Sequence, residues 1–151
     1  MPKRDSALFI VDIIHLIGQI KRFSQQAQSP DQLMRDDHIA AMFCKWLESL
    51  GEALKNILND DYCKKYSYDY WRDIVSMRNM LSHEYFGIDY TIVYNVIHND
   101  LPQFESDFTV FARTTAHKLN LKQALSIKIS DDQARGRADA AAYLTSFLHN
   151  L

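Results

Sequence analysis

Apolar residues recur along the chain at intervals of three and four, and the first such run sets the tone for the rest. Between about Asp5 and Gln26, Ile10, Ile13, Ile14, Ile17, Ile20 and Phe23 form a stripe that predicts an amphipathic helix, broad enough to be buried on two sides. The polar stretch after it ends in Ser29-Pro30-Asp31, where Ser29 is placed to cap and Pro30 to open a new short turn. From about Asp36 to Asn59 the rhythm returns in Ile39, Met42, Phe43, Trp46, Leu47, Leu50, Leu54, Ile57 and Leu58, with Asp36 or Asp37 beginning the helix. Asn59-Asp60-Asp61 reads as a stop, and Tyr62 to Tyr68, which has no helical period, as a loop.

Asp69 is then placed to cap a third helix carrying Trp71, Ile74, Val75, Met77, Arg78 and Leu81 and stopping near Gly87. Asp89 caps a fourth with Ile92, Val93, Val96, Ile97 and Leu101, which Pro102 kinks or ends; a continuation through Phe104, Phe108 and Phe111 fits the same period. Leu121 to Ser130 mixes helical and strand-like signals. Asp131 or Asp132 is expected to cap a last helix with Ala134, Ala138, Ala141, Leu144 and Leu148 on one face.

Composition narrows this to an all-α bundle in one domain spanning 1–151. The 151 residues are 47% hydrophobic with only 4 Gly and 3 Pro, too few turn formers for a sheet protein. The most apolar stretch, Ala7 to Gly18, is interrupted by Asp12 and His15 and reads as a core helix, not a membrane span. A formal net charge of -2 gives no chain-wide positive field, so any nucleic-acid site must be local. Cys44 and Cys63 have no metal or redox spacing and the N-terminus has no secretory pattern, so a reduced, cytoplasmic setting is the default expectation.

The third helix ends in Arg78-Asn79-Met80-Leu81-Ser82-His83-Glu84-Tyr85, which holds the chemistry. A guanidinium can grip two phosphate oxygens and stabilise the charge that builds up in phosphoryl transfer, which suits Arg78. A histidine can take the proton of a ribose 2′-hydroxyl or give one to a departing 5′-oxygen, which suits His83. No metal-ligand cluster accompanies them, so a metal-independent route through a 2′,3′-cyclic phosphate is expected, with no cofactor. Five residues turn a regular helix about 140° past one full turn, so Arg78 and His83 share a site only if the helix distorts or two chains contribute.

The same string resembles the Arg-x-x-x-x-His-x-Tyr motif of the HepT-type HEPN family. The likeness extends to Leu47 to Ala53, similar to the family's Leu-x-x-x-Gly-Glu-Ala stretch, to Trp71-Arg72-Asp73-Ile74, and to the helix from Asp89 to Leu101-Pro102, covering about Ala7 to Phe104. The resemblance implies a HEPN-type antiparallel four-helix bundle with an additional C-terminal helix, homodimeric, the two chains' motifs meeting in one cleft. It also implies a ribonuclease toxin restrained by an MNT-type nucleotidyltransferase antitoxin that transfers AMP from ATP onto Tyr85, where added negative charge would repel RNA. Asn79 stands where HEPN motifs favour a polar residue that orients His83 or binds substrate. Residues 108–151 look like a less typical helical extension, to which nothing carries over.

Other readings compete. Lys64, Lys65, Tyr66, Tyr68, Tyr70, Trp71 and Arg72 interleave charge with rings as a single-strand RNA platform does, with Lys64, Lys65 and Arg72 as candidate RNA contacts, against a plain loop covering the bundle end, the loop being favoured. Glu52 either faces the cleft or pairs with an arginine of the third helix, the second being favoured. The alternative function is a non-catalytic module that presents RNA or nucleotide to the nucleotidyltransferase, with Arg78 and His83 as ordinary helix-end residues.

Overall fold

A computed structural model of the chain describes residues 5–83 and 87–151, with Ser82 and His83 described by their backbone alone. Helix α1 (Ser6–Phe23) begins where the pattern predicts: extended Asp5 accepts a hydrogen bond from the Ala7 N–H at 2.9 Å, relieving a donor that has no partner inside the helix. Ile10, Ile13, Ile14, Ile17 and Ile20 have no exposed surface. Helices α3 (Asp37–Leu58), α7 (Leu101–Leu119), α8 (Leu121–Ala134) and α9 (Ala138–His149) all pack on α1. Each of those isoleucines stabilises the fold by about 1.5–3 kcal/mol, which makes α1 the axis of the core.

Ser29 caps α2 (Pro30–Arg35) as expected, accepting from Gln32 N–H at 3.0 Å. Helix α3 lies antiparallel to α1: Ser6 Oγ donates to Asp60 Oδ2 at 3.0 Å near one end, and the Phe23 and Trp46 rings sit 5.7 Å apart toward the other. The segment expected to be a loop opens instead with a single helical turn, α4 (Asp61–Lys64). Asp60, read as a stop, is also a start: its carboxylate accepts from the Cys63 N–H at 2.9 Å, and Cys63 is fully buried beneath the turn. The stop and cap readings use the same residue type, so the sequence alone does not separate them.

Helix α5 (Trp71–His83) is anchored by Trp71, fully buried with its ring 5.5, 5.6 and 5.3 Å from those of Phe104, Phe108 and Phe111. The expected stop near Gly87 adjoins residues outside those described. Asp89 caps α6 (Tyr90–Asn95) through the Thr91 and Ile92 N–H groups. The chain then widens into a π turn, Val96–Asp100, in which the Leu101 N–H reaches back to the Val96 carbonyl, and Pro102 lies in the first turn of α7, where no N–H is required. Pro102 therefore marks a change of register in a continuing helix.

The C-terminal expectation needs correction. Asp131 and Asp132 do not cap the last helix; they lie inside α8, which runs without a strand-like break from Leu121 to Ala134. Asp132 is wholly buried, with Lys128 Nζ at 2.7 Å and Arg137 Nη1 at 3.7 Å. The helix ends at Gly136 (φ 75°): Gly136 N–H bonds to the Gln133 carbonyl and Arg137 N–H to that of Asp132, a left-handed termination suited to glycine. Phe108, Phe111, Leu121, Leu125, Leu144 and Phe147 belong to the same hydrophobic cluster as α1. Among the described residues there is no strand, and no helix is long and apolar enough to cross a membrane.

Candidate active site

Helices α3 and α5 run antiparallel, so that the end of α3 (Lys55, Leu58) and the start of α5 (Arg72, Val75) share one groove. Further along they approach closely at Gly51, where a Cβ would fall 2.9 Å from Arg78 Cβ and 3.3 Å from the Ile74 carbonyl oxygen. Only glycine permits that approach, and it delivers Arg78 to the side chain that follows. Arg78 Nη1 donates to Glu52 Oε2 at 2.5 Å and Nη2 to Asn79 Oδ1 at 2.9 Å. Its Nε is buried and meets no acceptor among the described residues. The Glu52 pairing favoured from the sequence is thus the one observed.

The guanidinium has five N–H donors, of which these bonds engage two, so Arg78 is fixed yet still able to bind an anion. Asn79 is exposed and spends its carbonyl oxygen on Arg78; what it can offer substrate or His83 is its amide N–H. Helix α5 stays α-helical through His83, so the distortion that would bring positions 78 and 83 onto one face does not occur. They diverge by about 140° around the helix. Tyr85 lies outside the described residues.

The two sides of α5 differ in charge. On the Arg78 side a cavity of about 430 Å³ is lined by Asp12, Glu48 and Glu52 against Lys45 and Arg78. At the start of the helix another of about 340 Å³ is lined by Lys55, Lys64 and Arg72 against Asp69, so Lys64 and Arg72 come together while Lys65 lies outside. Lys55 was not anticipated, because nothing local in the sequence signals that the last turn of α3 meets the start of α5. The rings mostly cover the bundle end, the favoured reading, and do not form an RNA platform: Trp71 is in the core, Tyr68 stacks on it at 5.4 Å, and Tyr70 donates to Asp107 at 2.6 Å, leaving Tyr66 as the exposed ring. Among the described residues no three His, Cys, Asp or Glu side chains gather as a metal site.

A family model described as ribonuclease HepT-like matches residues 13–109, well over half of the chain and including the latter part of α1, all of α3 and α5, and the Arg78–His83 segment. The chain belongs to the HepT-like HEPN family. Relatives include a protein named as a putative RNase in Methanocaldococcus jannaschii, 33% identical over 68% of this chain and 83% of its own length. Another, named as a probable ribonuclease HepT in Thermococcus cleftensis, is 31% identical over 70% of this chain and 94% of its own. No solved structure matches. The matched region closes about halfway along α7, so α8 and α9 lie beyond the part this HepT-like chain shares with the family model.

Proposed function

We propose that this HepT-like protein is a homodimeric, metal-independent endoribonuclease toxin, silenced when a partner nucleotidyltransferase transfers AMP from ATP to Tyr85. The observation that carries this reading is the placement of Arg78 on α5: held by Glu52 and Asn79 with donors to spare, on a helix that remains regular through His83. A regular helix separates the two residues, and a two-fold pairing of α5 helices reunites them, one chain's arginine with the other's histidine. In the cleft, a His83 imidazole removes the 2′-hydroxyl proton as that oxygen attacks the adjacent phosphorus. Arg78 of the other chain stabilises the extra negative charge, and the imidazolium returns the proton it took, through water, to the departing 5′-oxygen. The P–O5′ bond breaks as the P–O2′ bond forms, giving a 2′,3′-cyclic phosphate and a 5′-hydroxyl.

A second reading, a non-catalytic module presenting RNA or nucleotide to the nucleotidyltransferase, draws support from the same Glu52–Arg78 pair, since an arginine tied to a carboxylate also serves as a structural link between α3 and α5. The two part company in one assay: total RNA in EDTA with unmodified wild-type, Arg78→Ala and His83→Ala proteins, each checked for folding. Cleavage by wild type alone, with cyclic-phosphate ends, is the expected result. If all three are equally inert, the binding module takes the place of the ribonuclease. Incubation with the partner enzyme and ATP is expected to add AMP to the wild type by intact mass and not to Tyr85→Phe.

A further inference from the structure

The site as described leaves open how RNA reaches it, and the charges flanking α5 bear on that question. A phosphate backbone approaching the Arg78 side meets Asp12, Glu48 and Glu52, with Arg78 already engaged by one of them. With carboxylates balancing its cations, that side offers a polyanion no net long-range attraction. At the start of α5 the balance reverses, with exposed Lys55, Lys64 and Arg72 converging from three segments of the chain around one groove and a single carboxylate, Asp69, among them. The half-buried ring of Tyr68, fixed against Trp71, forms part of the groove wall.

Register connects this groove to the chemistry. Around a regular helix, positions 72 and 76 fall within about 20° of position 83, and position 79 within about 40°, whereas position 78 is about 140° away. Arg72, Ser76 and Asn79 are all exposed and line up as a polar stripe along α5 toward His83, over about 16 Å of helix. The basic groove thus stands at one end of a continuous polar track, and the histidine position at the other.

We infer that single-stranded RNA enters along this outer face of α5, its phosphates held by Lys55, Lys64 and Arg72, its path leading over Ser76 and Asn79 to position 83. Arg78 then acts from the opposite face on the strand delivered by the partner chain. The inference rests on the ribonuclease reading and adds to it where the substrate lies and which residues hold it. Lys65, outside the groove, plays no part, and the groove reads backbone rather than sequence, since its contacts are to phosphate.

The test uses the full-length His83→Ala protein, which binds without cutting, and a labelled unstructured RNA oligonucleotide titrated at several salt concentrations. Each phosphate contact to a single strand contributes roughly 0.7 to the slope of log affinity against log salt, so the added pair Lys64→Ala and Arg72→Ala is expected to flatten the slope by roughly 1.4. Lys45→Ala, in the acidic groove, is expected to leave it unchanged, and Lys55→Glu alone to weaken binding. An unchanged slope in the double variant, flattening by Lys45→Ala, or no RNA binding by any protein overturns the inference. If wild type cuts RNA while the slope is unchanged, the groove is wrong and the ribonuclease stands. If the slope falls as expected while wild type cuts nothing, the groove stands and the chemistry is wrong.

Discussion

Helix α5 has two differently made sides. Toward α3 it is pressed close by Gly51, its arginine locked to Glu52 and facing a cavity rich in carboxylates. On the other side it is open, a polar stripe running from a basic groove to the histidine position. The close-packed side fixes a charge in one orientation; the open side can receive a mobile polyanion. A single chain does not combine the two, because the helix between them is regular, and that is the physical reason behind the proposed site between two copies.

The contrast is broken most severely by closing the gap at Gly51. Gly51→Ala puts a methyl against Arg78 Cβ and the Ile74 carbonyl, so α5 must shift away from α3. We expect a loss of about 1–3 kcal/mol in chemical denaturation, the range for an overpacked core, together with loss of cleavage at temperatures where the variant is still folded.

Removing the carboxylate instead tests whether the close-packed side positions or merely stabilises. The Glu52 side chain is 50% exposed, so Glu52→Ala is expected to cost less than about 1 kcal/mol in stability. The expected effect on cleavage is larger and falls on kcat, with Glu52→Gln recovering part of it by accepting the same hydrogen bond through its amide oxygen. A fall in stability with kcat unchanged points to a structural link alone.

The smallest effect lies away from α5 and separates folding from chemistry. Burial, and next the Lys128 charge, hold the His15 imidazole below its usual pKa, with Arg137 adding to the effect and Asp132 and Asp12 opposing it. The folded His15 therefore holds a proton less tightly than the unfolded chain, which takes one up near pH 6.5. Below that pH the unfolded state binds more protons, so stability declines as pH falls and levels off beneath the folded pKa. In His15→Gln this decline is expected to be shallower in denaturation curves between pH 7 and 5, with the pH profile of cleavage unmoved.

Much of this arrangement was legible from residues alone. The isoleucines of α1 and the apolar rhythm of α3 announce two long helices, because a 3.6-residue period needs no tertiary information, and Asp5, Ser29 and Asp89 announce starts that depend on one local hydrogen bond each. The misreadings share a cause. Asp60 and the Asp131-Asp132 pair look alike in sequence, yet one caps a helix and Asp132 sits buried between Lys128 and Arg137, a difference set by what packs around them. Of the candidate site, the Arg78–Glu52 pairing could be weighed in advance, whereas the basic groove could not, since Lys55, Lys64 and Arg72 meet only once α3, α4 and α5 are folded together.

If arginine and histidine from different copies form one site, mixed dimers will reveal it. Arg78→Ala and His83→Ala proteins, each inactive alone, are unfolded together in equal amounts and refolded, with heterodimers confirmed by native mass. Such a heterodimer keeps one composite site with Arg78 from one chain and His83 from the other, so random assortment is expected to restore about a quarter of wild-type cleavage. Heterodimers that form in full yet cut no RNA would rule out a site shared between copies.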